Sequence, residues 1–328
     1  MTRLIVCGLG LAMSASVQAQ GPTIGGCPVL PADNVWNTRI DHLPVDPQSN
    51  NYISRIGAGD PLHPDFGSGT IQGRPFGIPF VTVGDSQPLV PIRFYYADES
   101  DPGPYPFPPN APIEGGKFST GDRHVLVVDI DNCVLYEAYR CLPLGGGNRW
   151  LAGSGAVYDL TSNALRPAGW TSADAAGLPM VPGLCRQDEV AAGEIRHALR
   201  FTVSQTRDEF IWPARHSASS SNDPDLPPMG QRFRLKASYD ISSHPPEAQV
   251  ILTALKRYGM ILADNGSDWY ISGTQDNLWD NDVLNTLKNV HGSDFEAIDE
   301  SSLMIHPDSG QAVQPASLSK PSANRGRR

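Results

Sequence analysis

The segment GEIRHALRF, residues 193–201, alternates in a way that predicts a central β-strand. One face of that strand would carry apolar residues together with His197, and the opposite face would carry Glu194, Arg196 and Arg200. Two arginines two residues apart form a strip of positive charge. Such a strip predicts either ion pairs with acids on neighbouring strands or a groove that binds the carboxylates or hydroxyls of a glycan.

Short β-branched and aromatic runs recur on both sides of this segment. The 328 residues include 32 glycines and 30 prolines, which divide the chain into pieces of strand length. RHVLVVDI (residues 123–130) and DWYISG (residues 268–273) are typical of these runs. The sequence therefore predicts a mainly β fold, a β-sandwich or jelly-roll-like structure, as a single domain over residues 20–310.

Apolar residues recur at helical spacing twice near the C-terminus. PPEAQVILTALKRYG (residues 245–259) begins with prolines suited to a first helical turn and stops at Gly259. DNDVLNTLKNV (residues 280–290) begins with Asp280 or Asn281 as a cap. Both apolar stripes predict packing against the core, so the expected fold carries two C-terminal helices.

The two ends of the chain have the composition of segments that lie outside the domain. Residues 1–19 combine Arg3, an apolar run and a final VQA, as in a signal peptide cleaved after Ala19. That apolar run is too short to span a membrane, and no later run is long enough. Residues 311–328 are polar and end in basic residues, which predicts a disordered tail. We therefore expect a secreted or periplasmic protein with no membrane span.

Four cysteines remain beyond the expected signal peptide, and an even number in an oxidising compartment predicts disulfides. Cys133 and Cys141 are close in sequence, so a local bridge between them is the first expectation, which would leave Cys27 to pair with Cys185. The chain has no C-x-x-C pair and no histidine beside a cysteine, which argues against zinc. No metal or other cofactor is expected, although calcium remains an alternative.

The charge of the chain argues against a nucleic-acid partner, because the formal net charge is −10 and phosphates require a basic surface. Acids crowd in the proline-rich stretch YADESDPGPYPFPPNAPIEGG, residues 96–116. Asp98, Glu99 and Asp101 would repel one another unless Ca²⁺, an arginine or a substrate cation joins them. The alternative is a solvated acidic loop. Aromatic residues such as Tyr96 beside these acids favour sugar binding, since rings stack on the apolar faces of a pyranose.

A second long stretch, residues 163–183, carries Trp170 and Asp174 and predicts either a functional loop or a cover over the sheet. Further along the chain, basic residues concentrate in strand-like segments although the protein as a whole is acidic. That contrast predicts an anionic ligand or a set of internal ion pairs. The segments contribute Arg215, His216, Lys236 and, beside them, Tyr239.

Several runs resemble a family of secreted bacterial proteins, and the resemblance extends from CPVLPADNVWN at residue 27 to GSDFEAID at residue 299. The runs that carry it include residues 162–184, GEIRHALRFTV, WPARH and YGMILADNGSDWYISG. This family has no assigned activity, so the resemblance implies no site residue. EIRHA and LKASYD are also similar, in type and order, to strand motifs of jelly-roll polysaccharide lyases.

These observations predict a secreted carbohydrate-active protein, a hydrolase or lyase that acts on a polysaccharide. A hydrolase would use two carboxylates on either side of the scissile bond, from Asp98, Glu99, Asp174 and Asp264. A lyase would neutralise a uronate with an arginine or Lys236 and abstract a proton with His197 or Tyr239. The expected substrate-binding residues are Tyr96, Trp170, Arg196, Arg200, Arg215, His216 and Lys236.

Two other functions bear on this prediction. A non-catalytic glycan-binding or cell-surface protein is the alternative, because it needs the aromatic residues and arginines but no convergent acids. A peptidase is disfavoured, because the chain has no G-x-S-x-G and no H-E-x-x-H motif.

Overall fold

The computed structural model describes residues 21–71 and 73–314. The expected signal peptide and residues 315–328 of the expected tail lie outside the described residues. Residues 311–314 belong to the ordered chain, since the backbone N–H of Ala312 donates to the carbonyl of Asp33 at 2.8 Å.

Many short strands make up the described part of the chain, as the frequent glycines and prolines predict. They are β1 (Thr23–Ile24), β2 (Cys27–Pro28), β3 (His63–Pro64), β4 (Thr70–Ile71), β5 (Arg74–Pro75), β6 (Phe80–Val83), β7 (Ile92–Phe94), β8 (Val125–Asp129), β9 (Val134–Ala138), β10 (Leu142–Leu144), β11 (Arg149–Ala152), β12 (Gly155–Asp159), β13 (Leu199–Val203), β14 (Arg232–Leu235), β15 (Met260–Asn265), β16 (Tyr270–Ile271) and β17 (Phe295–Ala297).

The largest sheet has six strands in the order β17-β14-β15-β13-β16-β3. Strand β13 lies inside this sheet, parallel to β15 and antiparallel to β16. Leu199, Phe201 and Val203 are fully buried along it, as the alternation predicts. The quoted segment therefore does supply an interior strand, but the strand begins at Leu199 and not at residue 193.

A short helix explains why the strand begins late. Helix α2 covers Gln187–Ala191. The chain leaves this helix through Gly193, which has a φ of +86°, the left-handed conformation that glycine adopts most easily after a helix. Residues 194–198 then run as an irregular connection into β13. The expected arginine face of Arg196 and Arg200 is consequently not one surface, because only Arg200 lies on the strand.

A four-stranded sheet in the order β12-β9-β8-β6 forms the second large layer. Strand β8 is buried at all five positions and forms an antiparallel hairpin with β9. The strands of a three-stranded sheet, β10-β11-β7, occur in the sequence between strands of this four-stranded sheet. Parallel pairs occur in all three sheets, between β13 and β15, between β6 and β8 and between β11 and β7.

The prediction of a mainly β fold is confirmed, whereas the expected sandwich or jelly roll is not. Jelly rolls are built from antiparallel strands, and parallel neighbours such as β13 and β15 do not fit that pattern. The sequence gives no direct sign of strand direction, because a fully buried parallel strand and an antiparallel strand in a core have similar apolar runs.

The α-helices are α1 (Ser49–Ile56), α2, α3 (Pro246–Arg257) and α4 (Asn281–Asn285). Helix α3 places Pro246 in its first turn and buries one apolar face that includes Ile251 and Leu255. Helix α4 is capped by the Asp280 side chain and tightens after five residues into a 3₁₀ turn. None of the described helices combines the length and the apolar character that a membrane crossing requires.

The disulfide joins Cys27 to Cys133, so the expected bridge between Cys133 and Cys141 is wrong. Strand β9 separates those two cysteines, and five extended residues span about 16 Å, which exceeds the reach of a disulfide. Cys27 approaches Cys133 to a Cα–Cα distance of 5.3 Å. Cys141 and Cys185 are buried free thiols, so the expected pairing of Cys27 with Cys185 is also wrong.

Thiol counting tests this cysteine arrangement on a recombinant protein that begins at Gln20 and therefore lacks Cys7. Unfolded but unreduced protein is expected to react with two equivalents of a thiol reagent, from Cys141 and Cys185, whereas folded protein reacts slowly because both are buried. If the unfolded protein reacted with no thiol reagent, the result would contradict the arrangement, because all four cysteines would then be in disulfides. Replacing Cys27 and Cys133 together by alanine is expected to lower the free energy of unfolding by about 2–5 kcal/mol in urea titrations. The Cys141→Ala variant should keep the disulfide.

Candidate functional site

A cavity of about 370 Å³ lies where the ends of β8, β9 and β15 meet two loops, residues 96–101 and 171–175. Its lining is strongly acidic, and no lysine or arginine side chain belongs to the lining within the described residues. Two tyrosines, Tyr96 and Tyr139, also line it. The titratable lining groups other than tyrosine are Glu99, Asp122, Asp174, His216 and Asp264.

A buried ion pair between Arg200 and Asp174 forms the base of the site. Arg200 extends from β13, and its Nε and Nη2 donate to the two carboxylate oxygens of Asp174 at 2.9 and 2.8 Å. Its Nη1 donates to the hydroxyl of Ser272. The Asp174 side chain has no exposed surface and that of Arg200 is 5 % exposed. Arg200 is therefore occupied by internal partners and does not offer a free positive charge to a ligand.

Asp264 extends from β15, the strand next to β13, and its side chain is 25 % exposed. One of its carboxylate oxygens accepts from the N–H of Asn265 at 2.7 Å. The other lies 3.8 Å from Nη2 of Arg200, which already binds Asp174. Burial and the negative charge of Asp174 raise the pKa of Asp264 to about 7, although Arg200 opposes this shift. Asp264 can therefore give or take a proton near neutral pH.

His216 and Glu99 lie close to each other in the lining of the same cavity. The Nδ1 atom of His216 lies 2.8 Å from the carbonyl oxygen of Ala175, and a carbonyl can only accept. The neutral ring therefore carries its proton on Nδ1 and its lone pair on Nε2. Nε2 lies 3.9 Å from the Glu99 carboxylate, whose Oε2 accepts from the N–H of Thr171 at 3.2 Å. A water molecule in the cavity could thus meet an imidazole base.

The loop that carries Asp174 is fixed by hydrogen bonds from several elements. The hydroxyl of Ser154 donates to the carbonyl of Ser172 at 2.6 Å, and that of Ser172 donates to the carbonyl of Leu178 at 2.7 Å. Arg166 donates to the carbonyl of Thr171 at 2.9 Å. The guanidinium of Arg166 also lies 5.5 Å from the ring of Trp170. Trp170 thus packs on the loop and does not line the cavity.

The crowded acids at residues 98–101 are separated by the structure. Asp101 pairs with the buried Arg166, so an arginine supplies the cation that the sequence required there. Glu99 lines the cavity, while Asp98 is exposed and does not line it. Because Asp101 pairs with Arg166, Glu99 lines the cavity and Asp98 is exposed, the three carboxylates do not converge on one cation.

One other group of side chains has the composition of a metal site. Ligand atoms of Glu114, Asp122 and His124 lie within 4.8 Å of one another. However, both ring nitrogens of His124 already face acceptors: Nδ1 lies 2.7 Å from Glu114 and Nε2 lies 3.0 Å from the carbonyl of Ala173. A histidine that donates through both nitrogens has no lone pair for a metal. The arrangement therefore suits a doubly protonated histidine ring better than a bound metal ion.

The residues expected for a lyase do not come together. His197 is 1 % exposed, and its two ring nitrogens lie near Glu189 and the carbonyl of Ala198. Lys236 donates to the carbonyl of Ser293 at 2.8 Å. The hydroxyl of Tyr239 lies 3.0 Å from a ring nitrogen of His244. Since none of the three lines the cavity, they do not form a common base and cation site.

Two further arginines expected to bind substrate also lie outside the cavity. Arg196 is partly exposed and pairs with Glu194 at 2.8 Å. Arg215 is buried and donates to the carbonyls of Arg166 and Pro307. Of the residues proposed from the sequence, the structure brings together Tyr96, Glu99, Asp174, Arg200, His216 and Asp264.

Sequence reasoning missed Asp122 and Tyr139 on the cavity wall and Glu114 behind it. Asp122 precedes β8 and Tyr139 follows β9, so both stand at one end of the hairpin. The polar turn GDRH before a buried strand was the available signal for Asp122. Comparison with known proteins adds no residue: no family model matches the chain, and no significant match occurs among curated proteins or solved structures.

Replacing Asp174 by asparagine tests the ion pair at the base of the site. The change leaves Arg200 charged and buried without its anionic partner, so the free energy of unfolding should fall by about 3–5 kcal/mol. Urea unfolding followed by tryptophan fluorescence measures this loss. The exposed Asp98→Asn variant serves as the control and should unfold like wild type. A loss below about 0.5 kcal/mol for Asp174→Asn would contradict the description of the pair.

The pH dependence of stability tests the buried titratable groups. Three carboxyls have a pKa raised to about 7, chiefly by loss of contact with water: the buried Glu137 and Glu300 and the partly exposed Asp264. The pKa of His124 is raised to about 9, because Glu114 outweighs the opposite effect of burial. In each case the folded state binds protons more tightly than the unfolded state does. Stability should therefore fall as pH rises, between about 4 and 7 for the carboxyls and between about 6.5 and 9 for His124.

The expected result is a melting temperature lower at pH 9 than at pH 5 by roughly 5 °C or more. Burial lowers the pKa of His63 and His244, and these two groups oppose the trend only below pH 6.5. The Asp264→Asn variant should lose less stability over this range than the Asp98→Asn control. A melting temperature that rises with pH would contradict the prediction.

Proposed function

We propose that the protein is a secreted or periplasmic carbohydrate-active hydrolase with Asp264 as its general acid. The observation that carries this proposal is a cavity-lining carboxyl that is partly exposed and has a pKa raised to about 7. Glycoside hydrolysis needs such a protonated carboxylic acid beside the glycosidic oxygen. The disulfide between Cys27 and Cys133 supports an oxidising compartment.

The partner of Asp264 in this mechanism is the His216–Glu99 pair. Asp264 donates its proton to the leaving-group oxygen while the bond between that oxygen and the anomeric carbon breaks. A water molecule forms the new bond to that carbon and gives its proton to Nε2 of His216. Asp174 does not act as a nucleophile in this scheme, because Arg200 engages both of its oxygens. The proposed reaction is therefore a single displacement with inversion at the anomeric carbon.

The charge of the cavity favours a hydrolase of neutral or amino sugars over a uronate lyase. A uronate needs a cation close to its carboxylate, but no lysine or arginine belongs to the described lining, and Arg200 is covered. The carboxylates of Glu99 and Asp122 would instead repel it. Tyr96 is 44 % exposed and offers a ring face on which a neutral pyranose can stack.

A non-catalytic glycan-binding protein is the second candidate, because the same acids and tyrosines can accept hydroxyl groups and stack on sugar rings without chemistry. A panel of neutral, amino-sugar and uronate-rich polysaccharides distinguishes the candidates when each reaction is followed by new reducing ends and by ultraviolet absorbance. New reducing ends alone, on a polysaccharide without uronate, are the expected result. Absorbance of an unsaturated product would contradict the hydrolase, and retention on a glycan without turnover would identify a binding protein.

Asp264→Asn tests the proposed acid directly. Loss of the transferable proton should lower turnover by about 10²–10⁴-fold, while retention on an immobilised glycan persists because the amide keeps the shape of the side chain. Wild-type activity should decline as pH rises through about 7, where Asp264 loses its proton. Asp98→Asn, whose carboxyl is exposed outside the cavity, should retain full turnover. Equal activity of the two variants would exclude Asp264 as the acid.

A further inference from the structure

The short segment Ala173–Asp174–Ala175 is held at three successive residues by side chains from three parts of the chain. His124 contacts the carbonyl oxygen of Ala173 at 3.0 Å. Arg200 binds the side chain of Asp174. The carbonyl oxygen of Ala175 accepts from Nδ1 of His216 at 2.8 Å. The position of this segment therefore sets where both Asp174 and the imidazole of His216 stand in the cavity.

His124 differs from the other two contacts because each of its ring nitrogens faces an atom that accepts hydrogen bonds. Nε2 faces a backbone carbonyl and Nδ1 faces the carboxylate of Glu114 at 2.7 Å. A neutral imidazole has one proton and can satisfy only one of them. Two donated bonds need a ring with two protons, and the nearby carboxylate balances the charge of that ring.

The backbone keeps this pair in register, and its surroundings support the charged state. The N–H of Glu114 donates to the carbonyl of His124 at 3.0 Å. Glu114 and Asp122 favour the charged form of His124 and Arg200 opposes it, while the ring of Tyr139 lies 5.7 Å away. The net effect of these charges is to raise the pKa of His124 to about 9 despite its burial. Glu114 correspondingly has a lowered pKa, because His124 outweighs the effect of burial on it. The charge of His124 also acts to lower the pKa of Glu137 and Asp264, against the effect of their burial.

We propose that Glu114 and His124 are positioning residues of the active site. Glu114 keeps both ring nitrogens of His124 protonated, and the ring then holds the Ala173 carbonyl and with it Asp174 and the proton-accepting His216. The inference rests on the proposed hydrolase for its effect on turnover, but the doubly protonated ring is a property of the folded protein alone. Neither residue touches substrate in this scheme.

Glu114→Gln is the variant that separates charge from shape. The glutamine amide oxygen can still accept from Nδ1, but the carboxylate that favours the second ring proton is gone. The neutral ring then has a single proton for two acceptors, and the Ala173 carbonyl loses its donor or meets a lone pair. Without that carboxylate, burial holds the pKa of His124 below the ordinary histidine value of about 6.5, so the second proton and the contact should return only as the pH falls below that value.

The experiment compares turnover of Glu114→Gln with wild type across pH 5.5–8.5, with Glu247→Gln on the exposed start of α3 as the matched control. We expect kcat of Glu114→Gln to be roughly 10- to 100-fold below wild type at pH 8, with little change in KM. The ratio of the two kcat values should rise toward one as the pH falls from 8 toward 5.5. A ratio that does not change with pH would overturn the proposal, since a purely structural defect gives that result.

Nitrogen NMR of the histidine rings gives a second result that needs no turnover. In wild type at pH 8, the His124 ring, assigned by its loss in His124→Gln, should show both nitrogens protonated. Glu114→Gln should show one protonated nitrogen at pH 8, and the second should gain its proton as the pH is lowered below 6.5. A neutral His124 in wild type at pH 8 would overturn the proposal even if Glu114→Gln fails to fold. Absence of turnover on every glycan, with the doubly protonated ring present, would refute the hydrolase and leave this arrangement of the ring intact.

Discussion

The ion pair between Arg200 and Asp174 is the interaction on which the candidate site depends. It joins an interior strand of the six-stranded sheet to the loop that covers one wall of the cavity. Removing two charges from water is unfavourable, so the pair is stable only because Arg200 donates to both carboxylate oxygens and to Ser272. Burial and the negative charge of Asp174 make ionisation of Asp264 unfavourable, while Arg200 opposes this effect. The pair thus determines the position of the loop and contributes to the proton affinity of Asp264.

The balance of charge around the cavity follows from this arrangement. The positive charges of Arg200 and His124 lie behind the cavity wall. Their N–H groups already contact acceptors of the protein itself. Carboxyl groups stand on the cavity side, at Glu99, Asp122 and Asp264. A ligand therefore meets hydrogen-bond acceptors and an acid with an available proton, while the arginines that the sequence suggested as ligand-binding groups serve the protein itself.

The sequence identifies many of the residues that line the site, but it does not show which of them lie close to one another. Glu99, Asp174 and Asp264 were recognisable as acids in polar loops or strand ends, and all three line the cavity. Their joint position depends on the parallel pairing of β13 with β15, which no single segment encodes. The EIRHA residues do not form the strand that their alternation predicts, because Gly193 follows helix α2 in a left-handed conformation and His197 is buried before β13 begins.

The cysteine arrangement has a consequence for the order in which the chain must fold. A chain that enters an oxidising compartment from its N-terminus presents Cys27 and Cys133 before Cys141 and Cys185. The native bridge therefore joins the first two of these thiols to arrive. The later two escape oxidation only if they are enclosed quickly, Cys141 beside the four-stranded sheet and Cys185 beside the six-stranded sheet. Burial of Cys141 and Cys185 thus competes with their oxidation. A variant that folds slowly would form non-native disulfides through these two thiols.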